Sequence, residues 1–171
     1  MACLCIRGSR HLSCALGVAV AVAWSAAAGR ADAEELTSAS FRLRGIHWSA
    51  AAGNLGLLGT FQAWLADSTT SPAVRFTPNS FGYRTVAGTT IADDWADLTD
   101  GTLDAPVGGG GIPWTNVAAD GTAVGGNHCS DWTSASAGVG VVGNSTSTNG
   151  SWTNDATHPC SAIAGLYCLQ Q

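Results

Sequence analysis

Phe61, Ala63 and Leu65 alternate with Gln62, Trp64 and Ala66 in the segment GTFQAWLAD, residues 59–67. A period of two is the signature of a sheet strand, so the first confident element is predicted here. Residues 68–90 are rich in Ser, Thr, Pro and Gly and read as loop, with one short strand at VRF. In IADDWADLTDG, Ile91, Trp95 and Leu98 fall at helical spacing, with Asp93 and Asp94 near the start and Gly101 closing the segment. That pattern predicts a short helix. PVGGGGIPW turns the chain, Trp114 opens a strand, and AADG (118–121) reads as a hairpin turn. CSDWTS reads as a strand, and Ala135 to Gly150 as a long Gly/Ser/Thr/Asn loop. The closing AIAGLYCLQ is apolar without alternation, as suits a strand buried on both faces. A short helical pattern over His47–Ala52 completes the elements. The prediction is one loop-rich α+β domain, with a mixed antiparallel sheet and one or two short helices.

The N-terminal third does not fit that core. Arg7 and Arg10 precede an almost wholly apolar run from Leu12 to Ala28, followed by Ala-x-Ala patterns at Ala26/Ala28 and Ala31/Ala33. This is the layout of a secretory signal, expected over residues 1–33. The run is short for a membrane span, and no membrane insertion is expected after cleavage. Residues 34–52 are poorly patterned, and 53–171 form the expected domain.

Composition sharpens the picture in two ways. The chain holds 171 residues, only 11% of them charged, with no Lys and seven Trp. Such aromatic content with low charge opposes disorder. Cleavage after Ala33 would leave four Arg against eleven acids, a net charge of −7. An acidic surface lacks the clustered cations that phosphate contacts need, so nucleic acid is excluded as a partner.

Removing the leader takes Cys3, Cys5 and Cys14 and leaves Cys129, Cys160 and Cys168. In an oxidising compartment, one bridge and one spare thiol are expected. A bridge closing the floppy stretch between Cys129 and Cys160 would stabilise by about 3–4 kcal/mol on the chain-entropy model. Cys168 is the odd one, either a buried hydrophobe or half of a bridge whose partner is missing.

Four spacings then coincide in order: W-x-x-L-x-x-G (95–101), W-x6-G (114–121), G-x7-C-x-x-W (121–132) and C-x7-C (160–168). Together with GLLGTFQAWLADS, they resemble the endostatin domain of collagen and the bacterial family DUF1554 over roughly residues 53–171. The resemblance implies a C-type-lectin-like, endostatin-like fold. It also implies a Cys129–Cys160 bridge and a second bridge from Cys168 to a Cys in the first helix. The chain has Trp48 at that helix position, and the family's first strand and Gly-rich turn are replaced by EELTSASFRLRGIHWS. Two readings follow: a divergent member with Cys168 unpaired, or a shifted reading frame before about residue 50.

Two features could carry chemistry. Trp152-Thr153-Asn154-Asp155 resembles the Trp-Asn-Asp element with which sugar-binding C-type lectins hold Ca²⁺, a cation that takes six to eight oxygens. Here a Thr is inserted and the companion Glu-Pro-Asn element is lacking. Asn154 and Asp155 are therefore weak Ca²⁺ candidates, and no cofactor is expected. Trp152, on a Gly/Asn/Thr-rich loop, reads as an exposed ring able to stack on a sugar. His47, His128 and His158 stand singly, without metal-type spacing. There is no nucleophile elbow and no phosphate loop. The expected function is non-catalytic recognition of a glycan or an extracellular protein through loops 68–90 and 134–155. The alternatives are a metal-dependent hydrolase that would bring His128, His158 and an Asp into one cleft, and a purely structural surface protein.

Overall fold

A computed structural model describes residues 3–8, by their backbone alone, and residues 61–171. The elements run β1 (Cys3–Gly8), β2 (Phe61–Ala63), α1 (Pro72–Arg75), β3 (Tyr83–Thr85), β4 (Thr90–Ala92) and α2 (Trp95–Leu98), followed by β5 (Pro113–Trp114). After these come a helical turn at Cys129–Trp132, β6 (Val139–Val142), a 3₁₀ turn at Gly150–Trp152, β7 (Ala156–Pro159) and β8 (Gly165–Gln170). The molecule is α+β, with short helices beside one mixed sheet ordered β4-β3-β1-β8-β5-β6-β7; β2 also pairs with β8. β8 runs parallel to β1 and β5 and antiparallel to β2. No helix among the described residues is long and apolar enough to cross a membrane.

β8 lies at the middle of the sheet, and its Leu166–Leu169 stretch is buried because both of its faces are covered. Tyr167 and Leu169 enter one buried cluster with Trp64, Phe76, Tyr83, Ile91, Leu98, Val117 and Trp152. Leu166 and Cys168 enter a second with Phe61, Ala63, Leu65, Trp114, Trp132 and the Cys129–Cys160 pair. The alternation at 61–66 serves the same two layers. Phe61, Ala63 and Leu65 face one cluster while Trp64 and Ala66 face the other. Among the described residues β2 covers Phe61–Ala63, and the two-sided pattern continues past it, with the Trp64 amide bonded to the Tyr167 carbonyl and the Ala66 amide to that of Thr115.

Several expected elements differ. VRF is not a strand: Pro72 at the first helical position, with Val74 and Arg75 amides bonded to the Ser71 carbonyl, starts the helical turn α1. IADDWADL divides into β4 and α2, where the Asp94 carboxylate accepts from the Asp97 amide as an N-cap. The loop expected over 135–150 contains β6, disguised by its glycines. A Cβ on Gly140 would lie 2.8 Å from the Trp114 ring, and one on Gly143 would lie 2.1 Å from the Trp152 carbonyl oxygen. AADG is a turn as expected, with the Gly121 amide bonded to the Ala118 carbonyl and φ of 82° at Gly121.

β1 falls inside the stretch 1–33 expected as a leader, and loss of that stretch would leave β3 and β8 without the strand between them. The apolar run Leu12–Ala28, the segment 34–52 with its expected helix at His47–Ala52, and the proposed frame change lie outside the described residues. Cys168 is not a spare thiol: it is disulfide-bonded, to a partner whose side chain lies outside the described set. The expectation of an unpaired Cys168 assumed removal of every N-terminal cysteine, whereas Cys3, Cys5 and Cys14 belong to this chain.

Candidate functional site

Four loops are tightened by one local device. Asp67, Asp100, Asp120 and Asn144 are each followed two positions later by a Thr. In every case the Asx side-chain oxygen accepts from both the amide and the hydroxyl of that Thr, at 2.6 to 3.0 Å. Local bonds of this kind hold a turn without secondary structure. Thr122 holds the Asp120 carboxyl below the usual carboxylate range, through its hydroxyl first and its amide second. The spacing Asx-x-Thr was a legible signal that the sequence reading left unused.

The most unusual backbone lies at CSDW, which forms neither the expected strand nor an ordinary helix. Cys129, Ser130, Asp131 and Trp132 carry φ values of 50°, 54°, 55° and 60°. Four successive L-residues in the left-handed region cost about 1–2 kcal/mol each. The turn persists because its surroundings fix it from several sides. Cys129 is bridged to Cys160, at a Cα separation of 5.6 Å. The Trp132 indole donates to the Ala66 carbonyl at 2.8 Å. The Asp131 carboxylate accepts from the Ser68 amide at 2.8 Å and from its hydroxyl at 2.9 Å. His128 Nδ1 accepts the Asp131 amide at 2.8 Å, and the Trp132 amide bonds back to the His128 carbonyl.

Loop 67–71 and the left-handed turn thus form one face, with Asp131 at its centre. The Ser68 amide holds the Asp131 carboxyl below the usual range; burial opposes it next, and the Ser68 hydroxyl and then nearby His128 lower it further. Ser68, Asp131 and His128 are the three residue types of a hydrolytic triad in the wrong order. The hydroxyl donates to the carboxylate, and the imidazole lies on the carboxylate's other oxygen, 3.0 Å away. A carboxylate stabilised in its ionised form is a weak base for that hydroxyl.

Next to the bridge, apolar side chains face solvent. Val139 is 39% exposed and pairs across the sheet with exposed Pro159; the turn after Cys160 carries Ile163, 84% exposed. Gly138, also exposed, lies over Cys160 with no side chain to shield its sulfur.

The residues expected to bind ligand do not assemble into a site. Trp152 is fully buried, its ring centroid 5.0 Å from that of Trp64 and 5.6 Å from that of Tyr167. Its expected exposure is therefore corrected: the 3₁₀ turn capped by the Asn149 side chain directs the indole into the core. Its neighbour Thr153 is equally buried and accepts from the Trp64 indole at 2.7 Å while donating to the Val117 carbonyl at 2.9 Å. Asn154 and Asp155 alone are exposed. His158 lies on edge strand β7, separated in the ladder from His128 by Gly140, and His47 lies outside the described residues. Among the described residues, no group of three His, Cys, Asp or Glu is placed to hold a metal ion. Of the remaining Trp, Trp64, Trp114 and Trp132 are buried and Trp95 is half-buried against the first cluster, as expected of core residues.

Comparison with protein families, with characterised proteins and with solved structures finds no match.

Proposed function

We propose that this chain is a non-catalytic extracellular recognition module of the endostatin-like, C-type-lectin-like kind, and that its partner is a protein. The observation that carries this reading is the face around the Cys129–Cys160 bridge. Exposed Val139, Pro159 and Ile163 adjoin a rigid polar turn bearing Ser130 and Asp131. Apolar anchors rimmed by fixed polar groups are what protein interfaces use. The burial of Trp152 removes the ring expected to stack on a sugar, leaving Phe81, 43% exposed, as the aromatic side chain open to solvent among the described residues. The disulfide accords with an oxidising compartment. Against a hydrolase stands the arrangement at Ser68, whose hydroxyl donates to a stabilised carboxylate, a weak base, rather than to an imidazole.

The test is a binding screen of the oxidised chain against displayed extracellular proteins, with a glycan array run in parallel with Ca²⁺ and with a chelator. A protein ligand whose binding falls at least tenfold in Ile163→Asp, with the melting temperature unchanged, is the expected result. Protein binding indifferent to Ile163→Asp would move the interface elsewhere. Glycan binding lost on chelation would overturn the reading and return attention to Asn154 and Asp155.

A further inference from the structure

We infer that the Cys129–Cys160 bridge is a redox latch: it holds the left-handed turn closed on loop 67–71, and its reduction opens this face without unfolding the domain. Four consecutive residues with φ between 50° and 60° are not a conformation that Cys, Ser, Asp and Trp adopt unaided. Of their restraints, the bridge is the covalent one and lies at the first of the four. The hydrogen bonds from Ser68 act on the third and exist only while the turn is left-handed enough to present the Asp131 carboxylate. Relaxation to the right-handed form would withdraw that carboxylate. Loop 67–71 would keep its own closure, because the Asp67 side chain accepts from Thr69 and Thr70 independently of the turn.

The bridge is nearly buried, Cys129 being 5% and Cys160 7% exposed, but what covers it is slight. A Cβ on Gly138 would lie 3.6 Å from Cys160 Sγ and one on Gly140 would lie 2.9 Å from Cys129 Sγ. Cys160 Sγ is therefore roofed by exposed Gly138, whereas Cys129 Sγ lies against buried Gly140 and the Trp114 side of the core. A thiolate of an external dithiol attacks Cys160 Sγ, and the S–S bond breaks with Cys129 leaving as a thiolate that takes up a proton. The dithiol's second sulfur then displaces Cys160 as a thiol, so the reductant departs as a disulfide and two electrons have entered the protein. By contrast Cys168 is fully buried at the centre of β8, in register with Cys5 of β1. The latch operates whatever the face binds.

The full-length oxidised chain is titrated with a dithiol, cysteine status is read by differential alkylation, and amide exchange is followed by mass spectrometry. Expected is alkylation of Cys129 and Cys160 while Cys168 is still bonded. At that point amide protection at Ser68 and at 132–134 should fall at least tenfold, with β8 unchanged. Ser130→Gly supplies an internal control, because glycine tolerates positive φ. In the reduced state its turn should stay closed about 5- to 30-fold more than that of the natural chain, the factor equivalent to one left-handed residue. Simultaneous reduction of both bridges with global loss of protection would overturn the latch. So would reduction that leaves Ser68 protection intact, or a Ser130→Gly chain that opens as readily as the natural one.

Discussion

Thr153 joins three parts of the core through one hydroxyl, and removing that hydroxyl should cost more than removing its methyl. Its oxygen accepts from the Trp64 indole and donates to the Val117 carbonyl, and all three residues are fully buried. Thr153→Val keeps the shape and deletes both bonds, stranding a buried N–H and a buried C=O. Each stranded group costs about 1–3 kcal/mol, and the added methyl returns about 0.8 kcal/mol. The net loss is about 1–5 kcal/mol. For a chain of this size, at about 2–4 °C per kcal/mol, that corresponds to a fall in melting temperature of about 2–20 °C. Thr153→Ser keeps the oxygen and gives up one methyl, about 1 kcal/mol and a few degrees. Thermal melts followed by near-ultraviolet circular dichroism, which reports the Trp64–Trp152 stack directly, would separate the two. If Thr153→Val proved as stable as Thr153→Ser, the network would not be holding these strands together.

Two further predictions concern the same core. The chain has two tyrosines, Tyr83 and Tyr167, and both are fully buried. Burial, and secondarily Asp94, pushes the Tyr83 hydroxyl up to about 12, and burial raises that of Tyr167 as well. The folded state thus favours the protonated phenols. Above pH 10 the unfolded chain releases protons the native chain keeps, and stability falls as pH rises from 10 towards 12. Absorbance near 295 nm should accordingly rise in one step with unfolding; a gradual native-state rise centred at pH 10 would contradict the burial. Gly143→Ala should destabilise by more than the 1–3 kcal/mol typical of overpacking, because its Cβ meets the Trp152 backbone and not a movable side chain. Gly111→Ala, with nothing within 4 Å, should stay within about 0.5 kcal/mol of the natural chain in urea unfolding.

What the sequence disclosed was what short-range physics decides. The alternation at 61–66, the Asp94 cap and the AADG turn each depend on neighbours within a few positions, and each is present. The apolar segment AIAGLYCLQ announced a strand covered on both faces, which forms over Gly165–Gln170. β6 was hidden because its identity as a strand rests on distant groups: Trp114 and Trp152 occupy the space where Gly140 and Gly143 would carry side chains. CSDW read as a strand because nothing in those four letters favours positive φ; the bridge to Cys160 and the contacts from Ser68 and Ala66 impose it. Trp152 was misplaced for a related reason. Its polar neighbours suggested solvent, yet Thr153 is buried and spends its hydroxyl on the core.

The pairing of β8 with both β1 and β5 also governs when this fold can exist. Its central strand occupies residues 165–170, and its neighbours come from as far back as residue 3. Contacts of such long sequence separation form slowly. A growing chain therefore cannot join its β1–β3–β4 half to its β5–β6–β7 half until nearly all of it has been made.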